Sequence, residues 1–190
     1  MKIEKKFFNN KVILIKLELH KDNRGFFSES YNKIKLSKFG ISKNFVQDNF
    51  SFSKKKYTFR GVHLQLKPFQ QAKLLKVING EIIDFVVDLR KNSKSFGSHI
   101  KIKMNKNDNN ILYIPEGFGH AFLTLKNDTI ISYKVSNYYS PNHSMTICYN
   151  DKNIDLGMNN KIINKLILSK NDLNGITLLD LKKKITNKLL

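Results

Sequence analysis

Arginine, cysteine, proline and tryptophan are scarce or missing in this 190-residue chain, and most of these scarcities exclude something. A single cysteine, Cys148, cannot form an internal disulfide, so no disulfide framework holds the fold together. No apolar run approaches the ~18 residues that a membrane-spanning helix requires. The opening stretch MKIEKKFFNNKVILIKLEL lacks the small-residue cleavage site of a secretory signal. A reducing, cytoplasmic setting is therefore expected. Only three prolines, no low-complexity block and 41% hydrophobic residues argue against a disordered chain. The length suits one domain with a real core and is short for two.

Negative charge is also in short supply. Against 34 Lys plus Arg stand 15 Asp plus Glu, a formal net charge of +19. Such a balance first suggests a polyanionic partner, nucleic acid above all. The distribution argues otherwise. Apart from Arg24, Arg60 and Arg90 every positive charge is a lysine, and these are spread along the chain among many asparagines rather than gathered into a basic arm. Clustered arginines interleaved with aromatics, the mark of a single-strand binder, are missing. Where lysine serves nearly everywhere, a retained arginine suggests a need for the planar, forked guanidinium, as in bidentate phosphate recognition. Chance survival of three arginines is the competing explanation.

What is abundant is short apolar runs bounded by turn residues. They cover residues 12–19, 45–52, 59–66, 72–79, 81–89, 98–104, 111–115, 121–125, 130–136 and 145–149. Runs at roughly 8–12 residue spacing indicate an all-β sandwich or barrel. Asn79 and Gly80, between two such runs, predict a type I′ hairpin. Helix is expected only near residues 32–39 and in a C-terminal segment where Leu178, Leu181, Ile185 and Leu189 recur at helical spacing. No repeat or linker is visible. The expected organisation is one domain over 1–190, with a β core over about 11–157 and a helical tail over about 158–190.

Several residues have the chemistry for a site. In FRGVHLQL the two-residue strand period sets His63 and Gln65 on one face and Val62, Leu64 and Leu66 on the other. The apolar side should be core, so the polar side faces either solvent or a ligand-holding lumen. Arg60 with Gly61, and Arg24 with Gly25, are the same dipeptide twice; glycine permits close backbone approach, so both are candidate phosphate contacts. His120 follows a turn shaped by Pro115 and Gly117. A metal is not expected, because Gln65 stands where a second histidine would be and His63 with His120 lack a third ligand. Tyr133, Tyr138 and Tyr139 can be packing tyrosines, Lys73 an edge lysine that snorkels, and Asp172 the partner of Ser169 in a helix capping box.

Seven blocks taken together go further: RGFFSE (24–29), QDNFSFS (47–53), RGVHLQ (60–65), QAKLLKVINGEIIDFVVDLRKNSKSFG (71–97), YIPEGFGHAFLTL (113–125), YKVSNYYSP (133–141) and LSKND (168–172). In order and spacing they resemble the dTDP-4-dehydrorhamnose 3,5-epimerase family, over roughly residues 11–181. The resemblance implies an all-β, cupin-like jelly roll, without metal or other cofactor, that inverts C3 and C5 of a nucleotide-linked 4-keto-6-deoxyhexose. It implies a homodimer and no nucleic-acid or membrane partner. By residue, it implies His63 as the base, Asp172 as its orienting carboxylate, Tyr133 as the general acid and Lys73 at the enolate oxygen. Arg24 and Arg60 match diphosphate contacts, Phe26 and Tyr139 aromatics that flank the pyrimidine, and Glu29, Gln47 and Asn49 polar residues of the nucleotide and sugar pocket. His120 matches a second active-site histidine.

The chain departs from the family pattern after the tyrosine block. Ser144, Thr146 and Tyr149 stand where a glutamate, a glycine and a tryptophan are usual, and Lys152 replaces a common proline. A C3-only or C5-only epimerase acting on another 4-keto nucleotide sugar is the alternative within enzymes. A non-catalytic jelly roll that binds a nucleotide sugar is the alternative outside them; it has no use for His63, Tyr133 and Asp172 together.

Overall fold

The computed structural model describes residues 1–187. Its strands are β1 (Lys2–Phe7), β2 (Val12–Lys16), β3 (His20–Asp22), β4 (Gly25–Phe27), β5 (Gln47–Ser53), β6 (Phe59–Gln65), β7 (Lys73–Asn79), β8 (Glu81–Asp88), β9 (His99–Asn105), β10 (Asn110–Ile114), β11 (Phe118–Thr124), β12 (Thr129–Val135) and β13 (Ser144–Thr146). Helices are short: α1 (Lys33–Ser37), α2 (Asn160–Ile163), α3 (Lys170–Leu173) and α4 (Leu178–Asn187). Every one of the ten apolar runs overlaps a strand. The segments that sequence patterning passed over are the lysine-rich β1 and the exposed pair β3 and β4, which bury too little to leave an alternating pattern. Leu189, assigned to the C-terminal helix from its spacing, lies outside the described residues.

Two antiparallel sheets face each other. One has the order β1-β2-β10-β7-β12-β5 and the other β13-β6-β11-β8-β9, while β3 and β4 form a separate ribbon. Between the sheets lies an apolar cluster that includes Leu75, Val86, Leu112, Phe122 and Ile131. Both outer faces are also covered. The segment around α1 and Ile41 packs against Ile13, Ile15, Leu74 and Ile111 of the six-stranded sheet. Beyond the five-stranded sheet, Ile154, Leu156, Leu178 and Leu181 of the C-terminal segment cover Phe59, Val62, Leu64, Phe85 and Leu123. Coverage on both faces explains why runs such as VILI and FGHAFLT are continuously buried rather than alternating. Phe59 and Phe85 are wholly enclosed, and truncating such a ring to Ala typically costs about 3–5 kcal/mol.

The turn at Asn79 and Gly80 corrects the hairpin expectation. β7 and β8 do not pair; they belong to different sheets, and the turn carries the chain from one layer to the other. Asn79 closes β7 in ordinary strand conformation, and Gly80 alone takes a positive φ, of 86°. A Cβ there would stand 2.3 Å from Thr129 Oγ1, so close packing against β12 as well as backbone conformation calls for glycine. Dipeptide chemistry marks a reversal of direction but does not say which strand the next one joins.

Candidate active site

The polar side of β6 faces the space between the sheets, while Val62, Leu64 and Leu66 face outward into the cluster under the C-terminal segment. At one end of the lumen the apolar filling gives way to a pocket of about 270 Å³ lined by Arg60, His63, Lys73, Tyr133, Tyr139 and Asp172 among others. Six residues singled out from sequence thus converge from β6, β7, β12, the following loop and α3.

An irregularity in β6 makes the convergence possible. Strand alternation alone puts Arg60 on the face opposite His63. In the β6–β11 ladder His63 pairs with His120 but Arg60 pairs with Phe122, so the register slips between them. Gly61 sits at the slip with φ 131°, and a Cβ on it would come within 2.4 Å of Ala121 Cβ. The slip returns Arg60 to the His63 side, as the inward-facing Phe122 and His120 opposite them show. Arg60 is then held by Phe52 O at 3.1 Å and Ser53 Oγ at 3.4 Å.

His63 Nε2 lies 2.7 Å from Asp172 Oδ1. Asp172 is buried. Burial pushes its carboxyl up, but the hydrogen bonds from His63 and Ser169, the charge of His63 and the Gly61 amide together hold it below the ordinary carboxylate range. The capping role read from sequence is present as well: Asp172 N donates to Ser169 Oγ, and the Ser169 hydroxyl donates to Asp172 Oδ2 at 2.7 Å. The cap and the contact with His63 coexist, because the two carboxylate oxygens have different partners. With Nε2–H donating to Asp172, the free lone pair of a neutral His63 is on Nδ1.

Across the pocket stand Lys73 and Tyr133. Neither Nζ nor the phenol has a hydrogen-bond partner among the described residues. Burial pushes the Lys73 ammonium down to about 8, opposed by the charge of Asp84. Burial raises the Tyr133 phenol, partly offset by Arg60. Lys73 is therefore a half-buried pocket group, not a snorkelling edge lysine.

The loop after β12 is fixed by three glutamines, of which Gln71 donates through Nε2 to Asn137 O at 2.8 Å. Gln65 Nε2 donates to Phe69 O and Tyr138 O, and its Oε1 accepts from Ser140 N at 2.6 Å. Gln47 Oε1 accepts from Tyr139 N, while its Nε2 donates to Asn49 Oδ1. Gln47 and Asn49 thus sit on β5 beside the pocket mouth, and Tyr139 is held over it. Tyr138 and Tyr139 are exposed rather than packed inside.

Other sequence candidates lie elsewhere. Arg24, with its side chain 85% exposed, pairs with Asp22, and Phe26 projects from the β3–β4 ribbon. Glu29 accepts from Asn32 and pairs with Lys35. None of these three lines the pocket. Arg90 is structural: it forks onto the fully buried Asp88 and stacks 4.5 Å over Phe118. His120 lies behind the pocket, 2.7 Å from Asp84 Oδ2. Asp84 was missed from sequence, although a carboxylate within the apolar run EIIDFVVDL is itself a signal. Ser144 and Thr146 also line the pocket, being directly opposite Gln65 and His63 in the β13–β6 ladder.

The family model described as dTDP-4-dehydrorhamnose 3,5-epimerase matches residues 9–180. The chain belongs to this family. A relative from Methanothermobacter thermautotrophicus, dTDP-4-dehydrorhamnose 3,5-epimerase, is 38% identical over 163 residues, 85% of this chain and 86% of that one. Among solved structures, the epimerase of Bacillus anthracis with TDP and PPi bound has 38% identity and a TM-score of 0.83, covering 88% of this chain and 94% of its own. That of Legionella pneumophila in complex with dTDP-4-keto-L-rhamnose has 30% identity and a TM-score of 0.87, covering 97% and 96%. The cupin-like jelly roll expected from the resemblance is the fold of this member too. No helix among the described residues is long and apolar enough to cross a membrane.

Proposed function

We propose that this epimerase inverts C3 and C5 of dTDP-4-dehydro-6-deoxy-D-glucose to give dTDP-4-dehydro-L-rhamnose. The observation that carries the reading is the facing arrangement of a carboxylate-held imidazole, His63 with Asp172, and an unpartnered lysine and phenol, Lys73 and Tyr133, around one pocket of a chain of this family. A proton on carbon beside a ketone is weakly acidic. Its removal needs a base, a stabilised enolate oxygen and an acid on the other face.

In this scheme the Nδ1 lone pair of His63 takes the proton from C3 or C5. The electron pair moves onto the C4 oxygen, where the Lys73 ammonium meets the developing charge. As the enolate collapses, the Tyr133 hydroxyl delivers a proton to the opposite face, and solvent returns His63 and Tyr133 to their starting states. Both carbons flank one ketone, so one set of groups serves both centres if the ring shifts between steps. Arg60 binds the diphosphate, and Tyr139 with Gln47 and Asn49 holds the nucleoside end.

A homodimer completes the reading. Phe26 and Phe27 of the β3–β4 ribbon are 60% and 71% exposed, and Phe50 and Phe52 on the open edge strand β5 are 76% and 54% exposed. Exposed aromatics beside a free strand edge are what a second copy would cover. Such a pairing lets the ribbon bring Arg24 and Phe26 to the partner subunit's pocket, which explains why they line none in their own.

Incubation with dTDP-4-keto-6-deoxyglucose in deuterated water tests the reaction. Label is expected at C3 and C5; label at one carbon alone selects the single-centre epimerase, and none at either removes this substrate. Sedimentation equilibrium tests the assembly. A dimer is expected for the native chain and a folded monomer for Phe50→Lys/Phe52→Lys, whereas a native monomer at micromolar concentration refutes the pairing.

A further inference from the structure

Asp84 has no role in the scheme above. It lies mid-strand in β8, wholly buried, with Oδ2 bound to His120 Nε2 at 2.7 Å. The other oxygen, Oδ1, is sealed from solvent and has no hydrogen-bond partner. A carboxylate enclosed in this way is costly unless an opposite charge compensates it. Lys73, on the facing sheet, is half-buried in the pocket wall, and its ammonium has no hydrogen-bond partner among the described residues.

The surroundings leave Lys73 few choices. Its register partners on β10 and β12 are Ile114 and Val135, both apolar. The pocket adds Arg60 and His63 from β6, Tyr133 from β12 and Asp172 from α3, and behind it lie His120 on β11 and Asp84 on β8. Two of these are carboxylates. Asp172 is occupied by His63, Ser169 and the Gly61 amide. Asp84 retains a free oxygen, and its charge is the one that raises the Lys73 pKa against burial. Burial lowers the His120 pKa against the charge and hydrogen bond of Asp84, which raise it, and Lys73 and His63 add smaller lowering contributions. The contact of His120 with Asp84 is through Oδ2 alone and leaves Oδ1 without a partner.

Taking the epimerase reading as premise, we propose that Asp84 is a positioning residue: anchored by His120, its charge keeps Lys73 protonated and so sets the upper pH limit at which the enolate can form. Neutralising Asp84 then lets Lys73 lose its proton at lower pH. The alkaline limb of the reaction should move down while the chemistry at neutral pH and below is largely kept.

The test compares the wild-type protein with Asp84→Asn, following deuterium incorporation into the 4-keto sugar from pH 5 to pH 10, on the order of the range that spans both limbs. The alkaline limb is expected to fall by about 1 pH unit or more in the variant, the shift one nearby opposite charge produces. Lysine labelled with carbon-13 at Cε, with the Lys73 signal identified by its loss in Lys73→Arg, gives the midpoint without turnover. It is expected at about 8 in the wild type and lower in Asp84→Asn. Equal limbs and equal midpoints in the two proteins overturn the inference. If Asp84→Asn does not fold, the wild-type midpoint decides: ~5–6, typical of a buried lysine without a counter-charge, overturns it, and about 8 sustains it. Absence of exchange in the wild type at every pH removes the epimerase reading instead, and the lysine midpoints still judge Asp84.

Discussion

Asp172 shows how much one carboxylate does at the residue scale. One oxygen accepts the Ser169 hydroxyl within the turn of α3, and the other holds the imidazole that is to act as base. The two jobs separate by substitution. Asp172→Asn retains an oxygen for Ser169 but loses the charge that stabilises an imidazolium, so exchange should fall by about 100-fold or more with little change in melting temperature. An exchange rate near wild type in that variant removes the dyad. For His63→Ala, exchange should vanish while dTDP binding, followed by calorimetry, stays nearly unchanged. Tyr133→Phe should leave label entering the sugar but impair net inversion, because abstraction and return then use the same face. Full turnover in that variant excludes Tyr133 as the acid.

Among the secondary-structure elements, β6 decides the most. Its apolar face is sealed by the C-terminal segment, its polar face lines the pocket, and the slip at Gly61 puts an arginine and a histidine three residues apart on the same side. Gly61→Ala meets Ala121 Cβ at 2.4 Å and a backbone conformation that side chains resist. The expected cost is about 3 kcal/mol in urea unfolding, with a weakened affinity for dTDP because Arg60 is displaced. Unaltered stability and affinity refute this account of the slip. Ten of the thirteen strands were legible as runs of apolar residues, whereas β1, β3 and β4 bury too little to leave one. The slip was not: RGV reads as ordinary strand, and only the contact of Gly61 with β11 shows that the alternation breaks there. Nor was the order of strands, as the turn at Gly80 illustrates.

At the scale of the whole molecule, acid stability draws on a lock between the last residue of β8, Asp88, and the loop that follows it. Burial raises the Asp88 carboxyl, but Arg90, Ser93, Ser95 and the Arg90 amide outweigh it and bring it down to about 2. A carboxyl whose folded pKa is depressed contributes stability that is fully present above its unfolded pKa, ~3.9, and lost as pH falls towards about 2. The contribution at neutral pH is on the order of 2 kcal/mol. Arg90→Ala leaves Asp88 buried and unpaired, so the melting temperature at pH 7 should drop sharply, by an amount equivalent to about 3 kcal/mol, and less at pH 3. An equal drop at both values refutes the ion-pair origin. The same observation settles the third arginine: it was retained for a carboxylate of the protein itself rather than for a ligand.

The sequence by itself determined the all-β class, the position of ten strands, the family, and six of the polar groups that meet in the pocket, because apolar periodicity and residue chemistry are local properties. Its lysine excess is a solvated surface, and its few arginines were worth reading one at a time. Only the tertiary structure decided which of them face one another. Arg60 reaches the His63 side through a register slip, and Arg24 and Phe26 project away from their own pocket. Asp84 becomes visible as a charge only when two sheets bring it opposite Lys73. The physical reason is that facing, burial and unpaired charge are properties of pairs of residues far apart in the chain, and no window of sequence contains both members.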